Sequence, residues 1–249
     1  MQRIKMLLPV PLPEAALKGF AAQLPPSMVR DGLEVDFGGI RAGTTTLDSL
    51  FEAVVADAMV MDAGIAAANE GYDAICVNSM SDSGVAGLRS ILDIPVVGPG
   101  ESSFHVAAML GKRFSIITMW ERWLWIYEKL GQQTGLQSRI ASVRHIDTRP
   151  DTQELLAGKE EIVFAKLEEQ CRRAVEEDGA DVLILGSTTM HQSHAFLSER
   201  LNVPILNPGV IAFKICEMLL DLKLAQSKKA YPSPERPTAD VFTAIASQF

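Results

Sequence analysis

Three cysteines, Cys76, Cys171 and Cys216, are all that the 249 residues contain. Their odd number and the lack of metal-ligand spacing exclude a disulfide framework and a cysteine metal site, and point to a reducing, cytoplasmic setting. Basic residues are also in deficit: 23 Lys and Arg stand against 31 Asp and Glu, a formal net charge of −8. Nucleic acid and anionic membranes both need a basic face, so neither is expected as a partner, although a local anion pocket stays compatible with this balance. No apolar run approaches the roughly 20 residues of a membrane-spanning helix. The opening MQRIKMLLPVPLPEAA has too short and too proline-broken an apolar core for a signal peptide, and reads as a first strand. Aromatic residues make up only 6% of the chain, yet Trp120, Trp123, Trp125 and Tyr127 crowd together. Such a cluster either walls a pocket or forms a subunit interface.

What is present is a sequence that repeats itself. DAICVNS from Asp73 to Ser79 is answered by DVLILGS from Asp181 to Ser187, each an acid, four mainly apolar residues, a small residue and a serine. IPVVGPG from Ile94 to Gly100 is answered by VPILNPG from Val203 to Gly209, and a helix-like stretch ending at Leu110 by one ending at Leu219. Self-similarity over tens of residues implies duplicated supersecondary units, which usually pair about a pseudo-twofold axis with a shared cleft. Ser79 and Ser187 then face each other. At 47% hydrophobic residues the chain is globular, with material for one large or two small cores.

Short apolar runs alternate with longer helical patterns, the rhythm of parallel βαβ construction. Strands are predicted at Ile4–Leu8, Leu33–Phe37, Ala74–Val77 and Pro95–Val97, and again at Phe114–Thr118, Ile140–Val143, Val182–Leu185 and Pro204–Leu206. Leu47–Glu70 and Thr152–Asp178 carry helical periodicity, each ending at a glycine-containing turn. The tail SKKAYPSPERP reads as a loop leading to a last short helix. The predicted fold is therefore α/β: two pseudo-twofold-related lobes, each a mainly parallel sheet flanked by helices, with the site in the interlobe cleft. Residues 1–98 and 210–249 are assigned to the first lobe and 99–209 to the second.

Open parallel sheets place ligands at the carboxyl ends of their strands, which is where Ser79 and Ser187 stand. Asn78, Met80 and Ser81 share the first serine's loop, Thr188 and Thr189 share the second's, and Thr118 ends a strand between them. These small donors and their backbone N–H groups suit an anion or a carbonyl oxygen, while simple helix capping explains any one of them equally well. His191 and His194, in HQSH, are candidate bases near Ser187, or else an exposed pair on a first helical turn. Asp82 and Glu101 either orient such a base or complement a helix dipole. Thr46, within GTTTLDS, is a further donor or a helix cap. His105 and His145 carry no signal of their own. Cys76 lies three residues before Ser79 in a strand and so points the other way, as a buried apolar-like residue.

These segments, above all DAICVNSMSDSG, PVVGPGESSFHVAAMLGKRFSIIT, GLQSRIASVR and GADVLILGSTTM, resemble the Asp/Glu/hydantoin racemase superfamily, and most closely its hydantoin and allantoin racemase branch. The resemblance implies two similar α/β lobes with the active site between them. It also implies chemistry at an acidic carbon of a small carboxylate, hydantoin or cyclic imide, with no metal or organic cofactor, in a homo-oligomer. In that family one cysteine per lobe serves as base or acid; here the matching positions are Ser79 and Ser187. A serine hydroxyl titrates far above neutrality and needs a partner base, for which His191 is the candidate. Racemase-like chemistry without thiols is thus expected, with a lyase, decarboxylase or hydrolase, or a non-catalytic anion-binding protein, as alternatives. Leu8-Pro9-Val10-Pro11 replaces the branch's Asn-Pro-Asn type loop, placing Pro11 among the substrate contacts and implying a less polar or differently shaped substrate.

Overall fold

The computed structural model describes residues 1–43, 45–150, 160–236 and 242. Strands β1 (Gln2–Leu8), β2 (Leu33–Gly39), β3 (Ala74–Val77) and β4 (Val96–Val97) form one parallel sheet in the order β2-β1-β3-β4. Strands β5 (Phe114–Thr118), β6 (Ile140–His145), β7 (Val182–Leu185) and β8 (Ile205–Leu206) form a second parallel sheet in the equivalent order β6-β5-β7-β8. Eight helices flank them among the described residues: α1 (Glu14–Ala21), α2 (Leu50–Asn69), α3 (Val85–Ile91), α4 (Pro99–Leu110), α5 (Leu124–Thr134), α6 (Glu160–Glu176), α7 (Ser193–Ser198) and α8 (Pro208–Asp221). The molecule has the two-lobed α/β architecture that the repeat implies.

The repeated motif has a structural cause. AICV of β3 and VLIL of β7 are buried along their whole length, as expected of parallel strands covered on both faces. Each fully buried Val, Leu or Ile among them contributes about 1.5–3 kcal/mol. The acid before each strand ties it to its neighbour. Asp73 accepts the Arg3 backbone N–H at 2.7 Å, at the start of β1, and Asp181 accepts those of Lys112 and Arg113 at 2.8 and 3.0 Å, just before β5. Each central strand then delivers its serine to the same edge of its sheet.

The lobes exchange their last helices. Phe104 and Ala107 of α4, which follows the first sheet, are buried with Phe114, Ile116 and Ile184 of the second. Ala212, Phe213 and Cys216 of α8, which follows the second sheet, are buried with Ile4, Met6 and Cys76 of the first. α4 and α8 also pack on each other, so the connection between lobes is part of the core rather than a linker. Both helices begin with Pro-Gly: proline suits the first turn, which needs no N–H there, and the glycine admits a serine loop. A Cβ on Gly100 would lie 2.7 Å from the Met80 carbonyl oxygen, and one on Gly209 2.8 Å from Asn78 Oδ1.

Candidate active site

Ser79 and Ser187 open into a single cavity of about 430 Å3 lined by residues of both lobes, within the usual size of a small-molecule site. The two serines are held alike. Ser79 Oγ lies 3.0 Å from Ser81 Oγ and accepts the Ser81 N–H, while Ser187 Oγ lies 2.8 Å from Thr189 Oγ1 and accepts the Thr189 N–H. Ser187 thereby also caps a short 3-10 turn, Thr188–Gln192. Capping and lining the cleft are the same geometry seen from two sides.

Asn78 is only 1% exposed, lines this cavity, and has no partner among the described residues for either end of its side-chain amide. Its backbone is fully engaged, N–H to Leu7 O at 2.6 Å and C=O to Thr188 Oγ1 at 3.0 Å. The buried side chain keeps a donor and an acceptor unspent among the described residues, an arrangement that costs free energy unless a ligand or water meets it. The Thr188 bond crosses between lobes. So do the Trp123 indole N–H to the Thr46 carbonyl at 2.7 Å and the Arg122–Asp48 ion pair at 3.0 Å, so the cleft is laced shut on two sides.

Thr45, Thr46 and Leu47 belong to the loop before α2. Ser49 caps that helix, accepting the Glu52 N–H at 3.3 Å, so Thr46 is free of the capping role. The Glu52 carboxylate in turn accepts the N–H groups of Thr45, Thr46 and Asp48. Burial opposes its ionisation, but these backbone donors outweigh burial and hold its pKa below the ordinary range. Thr44 lies outside the described residues. Leu8, Val10, Phe20 and Trp123 form apolar wall, and Arg149, in the loop after β6, is the one charged side chain among the described lining residues.

The cleft thus gathers Ser79, Ser187, Asn78, Thr46, Thr188 and Thr189. It does not gather the other residues predicted from sequence. Met80 turns into the hydrophobic core around the second sheet. Ser81 is buried behind Ser79, where it continues the hydroxyl chain to Ser83 at 2.8 Å. Thr118 is fully buried against Tyr127, whose hydroxyl 2.7 Å away also donates to the Gly186 carbonyl. Pro11 is exposed beyond the rim, while Leu8, Pro9 and Val10 of the same segment line the cavity.

His191 is carried away from the serines by the 3-10 turn that Ser187 starts. It lines a separate cavity of about 510 Å3 with Gln23 and His194. Burial holds its pKa below the usual imidazole value, against a hydrogen bond to the Gly19 backbone. His194 Nε2 is 2.9 Å from the Ile205 carbonyl oxygen, and His105 is exposed. Asp82 is half-buried and accepts the N–H groups of Gly100 and Glu101 at 2.8 and 2.7 Å, capping α4. Burial pushes its carboxyl up to about 7 despite these donors. Glu101 pairs with Arg89 at 2.7 Å. The three cysteines are free and buried, and none lines the cleft.

Arg149 and Phe20 are lining residues that no local motif marks, while Thr45 stands beside Thr46 within GTTTLDS. The signal for Arg149 was its place just past the carboxyl end of a predicted strand.

The sequence profile of the Asp/Glu/Hydantoin racemase family matches residues 14–216. The chain is 31% identical over 197 residues to a hydantoin racemase of Pseudomonas sp. (strain NS671), covering 79% of this chain and 78% of that one. Its fold superposes on the allantoin racemase of Klebsiella pneumoniae with a TM-score of 0.87, at 28% identity over 95% of both chains. The allantoin racemase of Pseudomonas fluorescens gives the same TM-score at 26% identity, covering 95% of this chain and 99% of that one. A duplicated α/β fold, paired strand-end loops on one interlobe cavity and these similarities lead to one conclusion: the chain belongs to the Asp/Glu/hydantoin racemase family and is an enzyme of the racemase and isomerase type.

Proposed function

We propose that the protein acts at the acidic ring carbon of a hydantoin or related cyclic imide, without a metal or organic cofactor, and that Ser79 and Ser187 donate hydrogen bonds to the substrate rather than take its proton. The observation that carries this reading is the pair of matched hydroxyl loops facing one cavity. Loss of a proton next to a ring carbonyl moves negative charge onto the carbonyl oxygen, and fixed O–H donors aimed at that oxygen act on the charge as it develops. A serine hydroxyl is too weak an acid to be the resting base. The described lining residues include no carboxylate, imidazole or thiol, so the proton is exchanged with water admitted to the cleft. The unspent donor and acceptor of Asn78 match the adjacent N–H and C=O of a cyclic imide, which favours that class over a simple carboxylate.

The same lack of a group titrating near neutrality among those residues favours a second reading, decarboxylation of a carboxylated acidic carbon. That reaction starts by breaking a C–C bond and needs no base. Proton NMR in D2O with 5-substituted hydantoins, allantoin and malonate half-esters separates the two. Deuterium entering C5 above the uncatalysed rate, reduced about 100- to 1000-fold by Ser79→Ala or Ser187→Ala, supports the first. Release of CO2 with a protonated product supports the second, and binding without exchange or product rejects both.

A further inference from the structure

We infer that the substrate carries a carboxylate in addition to its imide ring, and that Arg149 is the residue that selects it. This deepens the reading above and rests on it. Among the described lining residues the cavity holds one charged side chain, a guanidinium, in a chain whose formal net charge is −8. A neutral hydantoin offers that cation only carbonyl oxygens, which bind a guanidinium more weakly than a carboxylate does. Its placement is specific: the Arg149 guanidinium lies 5.9 Å from the centre of the Trp120 ring, with the Arg122 guanidinium 5.6 Å from the same ring. Arg122 is paired with Asp48 at 3.0 Å. Among the described residues no carboxylate is paired with Arg149, so of two cations near one aromatic ring, one is spent on the protein and the other lines the cleft.

The division of labour follows from burial. Asn78, at the closed end, reads the amide edge of the ring, because an orphan amide in a dry site discriminates by hydrogen bonding. Arg149 is exposed, so it reads charge at the mouth, where a forked guanidinium binds a carboxylate in a bidentate manner and a lysine replaces it poorly. Leu8, Val10 and Phe20 supply apolar wall for the carbon frame. An anionic substituent on the ring carbon, pointing outward, satisfies all three.

The experiment compares hydantoin-5-acetate with neutral 5-ethylhydantoin by quenching of intrinsic tryptophan fluorescence, Trp123 being a lining residue. The wild-type protein is expected to bind the carboxylate compound at least about tenfold more tightly, with the preference shrinking as salt is raised. Arg149→Gln should abolish the preference by weakening the carboxylate compound, while Arg149→Lys should keep part of it. Equal wild-type affinity for both compounds, or a preference that survives Arg149→Gln, overturns the role of Arg149 while the imide reading stands. Binding of neither compound overturns the imide reading and this inference with it.

Discussion

The two serine loops are the same device set in different surroundings. In both, the residue before the serine donates its N–H to the neighbouring strand, Asn78 to Leu7 and Gly186 to Ile117, at 2.6 and 2.7 Å. In both, the serine hydroxyl meets the hydroxyl two residues on. The side chains flanking this shared backbone have diverged. Gly186 has no room for a side chain: a Cβ there would lie 2.7 Å from Thr118 Cβ and from the Tyr127 hydroxyl. Asn78 in the matching place carries a buried side-chain amide that has no partner among the described residues. Behind the first loop Asp82 caps α4, whereas the matching Met190 is buried in the core and α8 has no acid in its first turn. A symmetric two-base site needs its halves chemically matched. Here duplication keeps the hydroxyls matched and the flanking residues make the cleft directional.

That comparison can be broken in steps of falling size. Gly186→Asn, which gives the second loop the first loop's residue, forces a side chain into Thr118 and Tyr127. It should cost about 3–5 kcal/mol by urea unfolding; a loss under about 1 kcal/mol would mean that the loops are interchangeable. Asp82→Ala leaves two buried N–H groups unpaired and should cost about 2–3 kcal/mol. Its titration gives a separate test. Burial raises the folded carboxyl from an ordinary 3.8 to about 7, so between these values the folded protein holds the extra proton. The contribution is complete below about pH 4 and is lost as pH rises through about 7. Asp82→Asn should flatten that fall in stability, and an unchanged pH profile would show that the carboxylate stays ionised throughout.

Asn78→Ala removes no protein hydrogen bond of the side chain, so stability should change by less than about 1 kcal/mol while affinity for a hydantoin falls about tenfold. Destabilisation without loss of binding would show that Asn78 is structural. Ser79→Ala and Ser187→Ala should cost about 0.5–1.5 kcal/mol each, equal within error, as expected for matched neutral hydrogen bonds to the residue two positions on. Calorimetry of the two variants reads any inequality between the loops directly.

How far the sequence reached can be judged residue by residue. The strands were legible because DAICVNS and DVLILGS carry both a wholly buried run and the acid that anchors it, and the eight predicted strands all appear within two residues at either end. The serines were legible because strand ends are where parallel sheets bind. His191 was not: proximity along the chain suggested a base, and one 3-10 turn was enough to move it into another cavity. Arg149 was not because it comes from beyond β6 at the edge of the second sheet, brought to the serines by strand order and not by any local pattern. The predicted helix Thr152–Asp178 appears as Glu160–Glu176, and its first residues, like the short helix expected at the carboxyl end, fall outside the described residues.

The central claim is that Ser79 and Ser187 occupy opposed positions across a single substrate site. The most direct measurement is the loss of optical rotation of an enantiopure 5-substituted hydantoin in D2O with the Ser79→Cys/Ser187→Cys double variant. Thiols titrate within reach of neutrality where hydroxyls do not. The double variant is therefore expected to racemise the substrate with one deuteron gained per inversion, faster than the wild type and faster than either single variant. A folded double variant that binds the hydantoin and leaves its rotation unchanged would contradict the claim.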